Sequence, residues 1–187
     1  MKFDKYETRG AYHWKEYAQG TPYRKLVTTI TSLFPAHGTI LDVGCGDGLI
    51  SYLLYKKGLK VTGLDNHPVA IKFARKKTKG KIEFKLLNIY KASCRLKKRR
   101  FHYLLAAEVI EHLPDPTILK ELILRHCTKY AIITTPQKSK KKGKYHFREY
   151  TPTELIELFH PLKCELIKVN KHKIYLKIIP GKTKPLA

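Results

Sequence analysis

Two groups of residues have types and spacing that could do chemistry. The first is Ile40-Leu41-Asp42-Val43-Gly44-Cys45-Gly46-Asp47-Gly48, a short apolar run ending in three glycines spaced two apart. A buried strand there must turn sharply into a helix. Glycine serves such a turn because the backbone needs unusual dihedrals and because a missing Cβ lets a ligand lie against the main chain. The pattern reads as a nucleotide site. A dinucleotide loop runs G-x-G-x-x-G and offers bare N–H groups to a pyrophosphate, whereas this one runs G-x-G-x-G and carries Asp47 inside the turn. An acid there repels a pyrophosphate and tolerates a ligand with an ammonium and a sulfonium. Asp65, which closes the apolar run Val61-Thr62-Gly63-Leu64, stands where a second parallel strand would end, and its carboxylate can accept from two ribose hydroxyls.

The second group is Glu108-Val109-Ile110-Glu111-His112, which sets two carboxylates and an imidazole at i, i+3 and i+4 on one face of a helical turn. That is ligand spacing. A later segment, Tyr145-His146-Phe147-Arg148-Glu149-Tyr150, offers a further imidazole.

Loop, second-strand acid and Glu-His segment, in that order, make residues 20–160 resemble the class I S-adenosylmethionine-dependent methyltransferases. The charge argument for the loop favours the same cofactor. The resemblance implies that Gly44, Cys45 and Gly46 pack on the cofactor, that Asp65 holds its ribose, and that Asn66 lies by the adenine. Asp42 would face the methionyl ammonium, directly or through water. Asn88 takes the slot after strand three where the family often has an Asp facing the adenine amino group, and it keeps the acceptor oxygen. Ile89, Ala107 and Glu108 complete the expected lining, Ala107 through its backbone. Arg24, in a Pro-x-Arg-x context, resembles the arginine that meets the cofactor carboxylate in the ubiquinone-biosynthesis O-methyltransferases; a surface helix arginine is the alternative.

The Glu-His spacing is similar to that of two families, the ubiquinone O-methyltransferases and the small-RNA 3′-terminal 2′-O-methyltransferases, both of which use it to hold Mg²⁺ or a similar ion. The resemblance implies a divalent-metal site (Mg, Mn or Co) of Glu108, Glu111, His112 and His146. Relatives without a known metal carry a similar Glu-His and a His-x-Arg-x-Tyr-Thr-Pro segment that only braces the sheet, so both readings stay open. A sulfonium is already an electrophile. The protein then needs in-line positioning and, for a hydroxyl acceptor, a base or a metal, and His112 and His146 are the candidate bases. His13, beside Trp14, reaches the pocket only if the segment before residue 20 folds over it.

These residues need a scaffold. Thr21 and Pro22 open a helix on which Tyr23, Leu26, Val27, Ile30, Leu33 and Phe34 recur at helical spacing. Strands are expected over 39–43, 60–65, 82–87, 101–107 and 130–135, with helices between them, and Thr151-Pro152-Thr153-Glu154 is a capping box. Two alternating tail segments, 164–169 and 173–179, join at Asn170-Lys171 as a hairpin. The expectation is a single α/β methyltransferase domain over 1–187, with residues 1–20 a cover segment and 21–187 a Rossmann-like core. That core is a doubly wound, mostly parallel seven-stranded sheet ending in a C-terminal antiparallel hairpin.

Composition bounds the rest. A chain of 187 residues with 43% apolar content suits one globular domain, and no run approaches a membrane span. With no signal-peptide pattern, a cytosolic protein is expected; the four scattered cysteines read as free thiols. The 38 basic and 15 acidic residues give a formal charge of +23, which favours anionic partners, nucleic acid first and an anionic membrane surface second. The Lys cluster 138–144 follows a strand, so it borders the acceptor entrance; 75–81 and 95–100 precede strands and open away from it. The reading is a methyltransferase acting on an oxygen or nitrogen, with RNA narrowly ahead of a small phenol- or quinone-like acceptor. A non-catalytic cofactor- or RNA-binding protein of the same fold is the third reading.

Overall fold

The computed structural model describes residues 4–139, 143–170 and 172–181, without the side chain of Asn170. It divides into two compact units, Met1–Ile89 and Tyr90–Ala187.

In the first unit β1 (Thr39–Val43), β2 (Lys60–Asp65) and β3 (Glu83–Leu86) pair in parallel, Asp42 lying beside Gly63 and Asp65 beside Leu86. All of β1 but its first residue is buried, as a strand covered on both faces requires. Three helices precede β1: α1 (Lys5–Arg9), α2 (Tyr12–Ala18) and α3 (Pro22–Ser32). The first two lie in the stretch read only as cover, which has no apolar period because each is short and buries a single tyrosine, Tyr6 or Tyr12. α3 starts where Pro22 predicts, but the Thr21 hydroxyl does not cap it. It donates instead to the Glu16 carbonyl at 3.0 Å, tying α3 back to α2. Crossovers α4 (Leu49–Lys56) and α5 (Pro68–Thr78) join the strands.

In the second unit β4 (Phe101–Ala107) and β5 (Cys127–Pro136) are parallel, and β7 (Lys173–Ile179) runs antiparallel to both β5 and β6 (Lys163–Asn170). The two expected hairpin strands are therefore paired; Lys171, between them in the sequence, lies outside the described residues. The expected basic connector holds a five-residue helix, α6 (Ala92–Leu96). Strand β5 begins before the expected 130 because α7 (Thr117–His126) passes into extended Cys127 without a loop. α8 (Pro152–Phe159) opens on the expected box: Thr151 Oγ1 accepts from the Glu154 N–H at 3.2 Å and Glu154 Oε2 from the Thr151 N–H at 2.8 Å. Across the sheet the strands run β3-β2-β1-β4-β5-β7-β6, mostly parallel with the antiparallel pair at one edge. Among the described residues no helix is long and apolar enough to cross a membrane.

Candidate functional site

In the first unit the strand ends meet through the backbone. The Gly44 and Cys45 N–H groups both donate to the Leu64 carbonyl, at 2.7 and 2.9 Å, which ties the turn after β1 to the end of β2. Asp65 completes the tie, its Oδ2 accepting from the Gly46 N–H and its Oδ1 from the His67 N–H, each at 2.8 Å. Gly48 begins α4 with φ at 81°, and a Cβ there would lie 2.8 Å from that of Ala74, so the third glycine lets α5 pack close. Gly46 has φ at 55°, and the space a side chain would take is filled by the Tyr6 hydroxyl, 2.2 Å from the Cβ position.

Two acids of this turn, Asp42 and Asp47, are out of water, and Asp65 is half-buried. Asp42 is buried and accepts from Ser51 Oγ at 2.5 Å; burial pushes its carboxyl up to about 7 against the pull of that bond. Burial likewise raises Asp65, although its two backbone N–H bonds oppose the rise. Asp47, expected to shape the ligand's charge, turns toward the chain itself, where Oδ2 accepts from the His13 N–H at 3.1 Å and its carbonyl from Trp14 Nε1–H at 2.9 Å. Arg24 also has another occupation. It is exposed, donates through Nε to the Tyr17 carbonyl at 2.8 Å and lies over the Tyr17 ring. Cys45 is buried, while Asn66 and Asn88 are exposed and Ile89 half-buried where a short turn, Ile89–Lys91, leaves β3. A lining with raised carboxyl pKa values suits a ligand that brings positive charge, so the residues fit S-adenosylmethionine on this ground.

In the second unit the turn Ile110–His112 follows β4 after Ala107, which is half-buried, and Glu108. Glu108 holds φ at 57°, a left-handed backbone rare outside glycine, fixed by its N–H to the Thr134 carbonyl at 2.9 Å. Its carboxylate accepts from Thr134 Oγ1 at 3.1 Å and forms an ion pair with Lys173. Glu111 is almost fully buried; burial first and the nearby Glu108 charge second push its carboxyl up to about 8, against a bond from Thr135 Oγ1 at 3.1 Å. Glu111, His112 and His146 each offer a ligand atom, all within 4.8 Å of one another. The fourth expected ligand, Glu108, is not among them because Lys173 engages it.

Both imidazoles are oriented from behind. His112 Nδ1 faces the Tyr145 carbonyl at 2.9 Å and His146 Nδ1 the Glu149 carboxylate at 2.8 Å, acceptors that call for a proton on each Nδ1 and leave Nε2 as the nitrogen open to the site. The rings stand edge to face with centroids 5.0 Å apart. Glu149 also accepts from the Gly143 and Ser139 N–H groups, which with His146 outweigh burial and keep its carboxyl below the usual range. Phe147 is anchored by its N–H to the Glu111 carbonyl at 2.8 Å, yet is 60% exposed. Sequence reasoning missed Tyr6, Thr135, Glu149 and Lys173; only Glu149, at i+3 from His146, carried a local signal.

A glycine turn with acids beside it, on parallel strands joined by helices, defines a Rossmann-like fold. The family described as a methyltransferase domain matches residues 35–174, so the chain belongs to it. It is a class I S-adenosylmethionine-dependent methyltransferase by family and fold, and S-adenosylmethionine is the cofactor of that class. Among curated relatives, the ubiquinone biosynthesis O-methyltransferase of Xanthomonas axonopodis pv. citri (strain 306) is 32% identical over 98 residues, 51% of this chain and 39% of that protein. That of Pelagibacter ubique (strain HTCC1062) is 38% identical over 80 residues, 41% of this chain and 32% of that protein. The chain thus aligns with about two-fifths or less of these relatives' length. Among solved structures, magnesium protoporphyrin IX methyltransferase from Synechocystis PCC 6803 with bound SAH (S-adenosylhomocysteine) superposes with a TM-score of 0.72 at 13% identity, covering 95% of this chain and 97% of that one. A SAM dependent methyltransferase from Aquifex aeolicus gives 0.67 at 19%, covering 84% and 89%. At these identities the likeness speaks for the fold.

Proposed function

We propose that this protein, acting as a single methyltransferase domain, transfers a methyl group from S-adenosylmethionine to the hydroxyl of a small phenol- or quinone-like acceptor. The observation that carries this reading is the family match, which runs from 35 to 174 and so includes both the glycine turn and the Glu111–His112–His146 cluster. The named activity of the ubiquinone relatives supports the acceptor class. When bound, the cofactor would supply an electrophilic methyl carbon on a sulfonium, whose sulfur would become a neutral thioether as the methyl passes to the acceptor oxygen. Asp65 takes the ribose hydroxyls on its remaining lone pairs, and Gly44, Gly46, Asn66 and Asn88 line the nucleoside. Asp42 offsets the ammonium. The acceptor's proton passes to Nε2 of His146 or His112, whose other nitrogens keep theirs through Glu149 and the Tyr145 carbonyl. Phe147 gives a planar acceptor an exposed ring to lie against.

The donor set of Glu111, His112 and His146 also fits a divalent ion, Mg²⁺, Mn²⁺ or Co²⁺. Such an ion would hold the acceptor oxygen and lower its proton affinity. A second acceptor, RNA or another polyanion, is favoured by the exposed cations Lys144 and Arg148, which flank Phe147 in the sequence, Lys138 of the same loop being paired with Glu154. Lys140, Lys141 and Lys142 of that expected loop lie outside the described residues. An anionic membrane surface is the lesser partner for the same charges, and a cytosolic location belongs to the same reading. The test is methyl transfer from labelled cofactor, run in parallel on a metabolite extract and on bulk RNA, with and without chelator. Label in the extract is expected. Label in RNA alone would replace the acceptor, and label in neither would favour a non-catalytic binding protein.

A further inference from the structure

Residues 5–18 have contacts that packing alone does not require. Helices α1 and α2 lie on the glycine turn of their own unit, and three polar groups converge there. Two are the bonds to Asp47, from the His13 N–H and from the Trp14 indole N–H. The third is the Tyr6 hydroxyl, seated where Gly46 lacks a side chain, with His13 Cε1 3.7 Å from the same point. Asp47 is 1% exposed, and its Oδ1, 3.3 Å from His13 Nδ1, receives no hydrogen bond of good geometry. A buried carboxylate oxygen left short of a donor is costly, and it marks a place where a further donor or cation belongs.

The walls around it are aromatic. Tyr6 and Tyr12 have ring centroids 5.3 Å apart, His13 stacks on Tyr23 at 4.9 Å, and His67 meets Tyr6 at 5.1 Å. Electron-rich ring faces beside a buried acid attract a cation. The segment is also fastened at its outer side, where His67 Nε2 lies 3.2 Å from Glu7 Oε2.

We propose that residues 5–18 form the outer wall of the cofactor site, latched at Asp47, with Tyr6 and His13 facing the bound cofactor, and that cofactor binding holds this wall shut. The proposal rests on the S-adenosylmethionine reading. It gives Asp47 a role different from the one its sequence position suggests: the carboxylate acts on the ligand through the segment it anchors. A closed wall excludes water from the sulfonium, and by linkage a ligand that binds only the closed form must stabilise it.

Trp14 is the only tryptophan, so its emission reports the latch directly. The full chain is titrated with S-adenosylhomocysteine while calorimetric heat, acrylamide quenching of Trp14 and amide hydrogen exchange of residues 5–18 are followed. Saturation should slow exchange in 5–18 and protect Trp14 from the quencher. Asp47→Ala should expose Trp14 in the free protein and weaken binding about tenfold, within the usual range for coupled elements, mostly through faster release. Tyr6→Phe, which keeps the ring, should weaken binding a few-fold. Heat of binding with no change at Trp14 or in exchange would overturn the wall and leave the cofactor reading standing. No heat at all would overturn both. Should Asp47→Ala fail to fold, the wild-type exchange and Tyr6→Phe decide.

Discussion

The turn after β1 and the cluster after β4 both draw carboxylates away from water, and they differ in the groups set beside them. In the first unit Asp42 and Asp65 are held by neutral donors, a serine hydroxyl and backbone N–H groups, and both carboxyl pKa values rise. In the second, Glu108 has its own cation in Lys173, and Glu111 stands with two imidazoles. One region is short of positive charge until a ligand brings it. The other has bases and acids in place and suits proton movement. Binding and chemistry should therefore separate by mutation.

The largest separation is expected in the second unit. His146→Ala or Glu111→Ala should lower methyl transfer by about 10²- to 10⁴-fold, the usual worth of a positioned base, with S-adenosylhomocysteine affinity nearly unchanged by calorimetry. Equal loss of binding would merge the two regions. The converse variants lie in the first unit. Gly46→Val drives a branched side chain into the Tyr6 hydroxyl at a left-handed residue, and no binding should be measurable in a protein that still unfolds cooperatively. Asp65→Ala should cost about 1.5 to 3 kcal/mol of cofactor affinity, the range for hydrogen bonds to a charged group. Its effect on the acceptor's apparent affinity should be small, and a large one would break the comparison.

A smaller effect follows from Asp42. Its folded carboxyl pKa, about 7, lies above the ordinary value of 3.8, so its contribution to stability is fully present below about 4 and is lost as pH rises through about 7. The unliganded protein should thus melt at lower temperature at pH 8 than at pH 5, and Asp42→Asn should remove part of that slope. S-adenosylmethionine, a cation, should offset the loss at pH 8 better than it does at pH 5. An unchanged slope in Asp42→Asn would mean that its burial is relieved by means the hydrogen bonds do not show.

How much of this was legible depended on distance along the chain. The glycine turn, Asp65 and the Thr151–Glu154 box are local patterns, because each is a backbone requirement met by neighbours, and structure and sequence agree on where they fall. The Glu-His turn was legible as ligands but not as a set. Its second imidazole arrives from residue 146, and the cation that removes Glu108 from the set is Lys173, 65 residues away along the chain. Charge at that separation leaves no period to read. The same holds for Tyr6 on Gly46, since an aromatic segment without alternation does not say what it covers. Asp47 shows what reading charge without direction leaves out: its place in the turn was plain, but its bonds to α2 were not.

The smallest expected effect concerns the loop beyond β5. Lys144 and Arg148 are exposed beside Phe147, whereas Lys138 is drawn into an ion pair with Glu154 at 2.8 Å. Arg75, in the cluster before β3, already donates to the Phe84 carbonyl at 2.7 Å, and Lys79 and Lys81 of that cluster are exposed. If a single-stranded polyanion crosses the acceptor side, each phosphate contact removed should lower the salt slope of its binding by roughly 0.7. Lys144→Ala with Arg148→Ala should then flatten the slope by roughly twice that, and Lys79→Ala with Lys81→Ala, which removes the same charge, should leave it nearly unchanged. Phe147→Ala tells the two acceptors apart, because losing a stacking ring should weaken a planar small molecule at any salt concentration but should not alter a slope set by phosphates. Equal flattening by both double variants would mean that the +23 surface attracts polyanions as a whole and that the loop has no particular part in it.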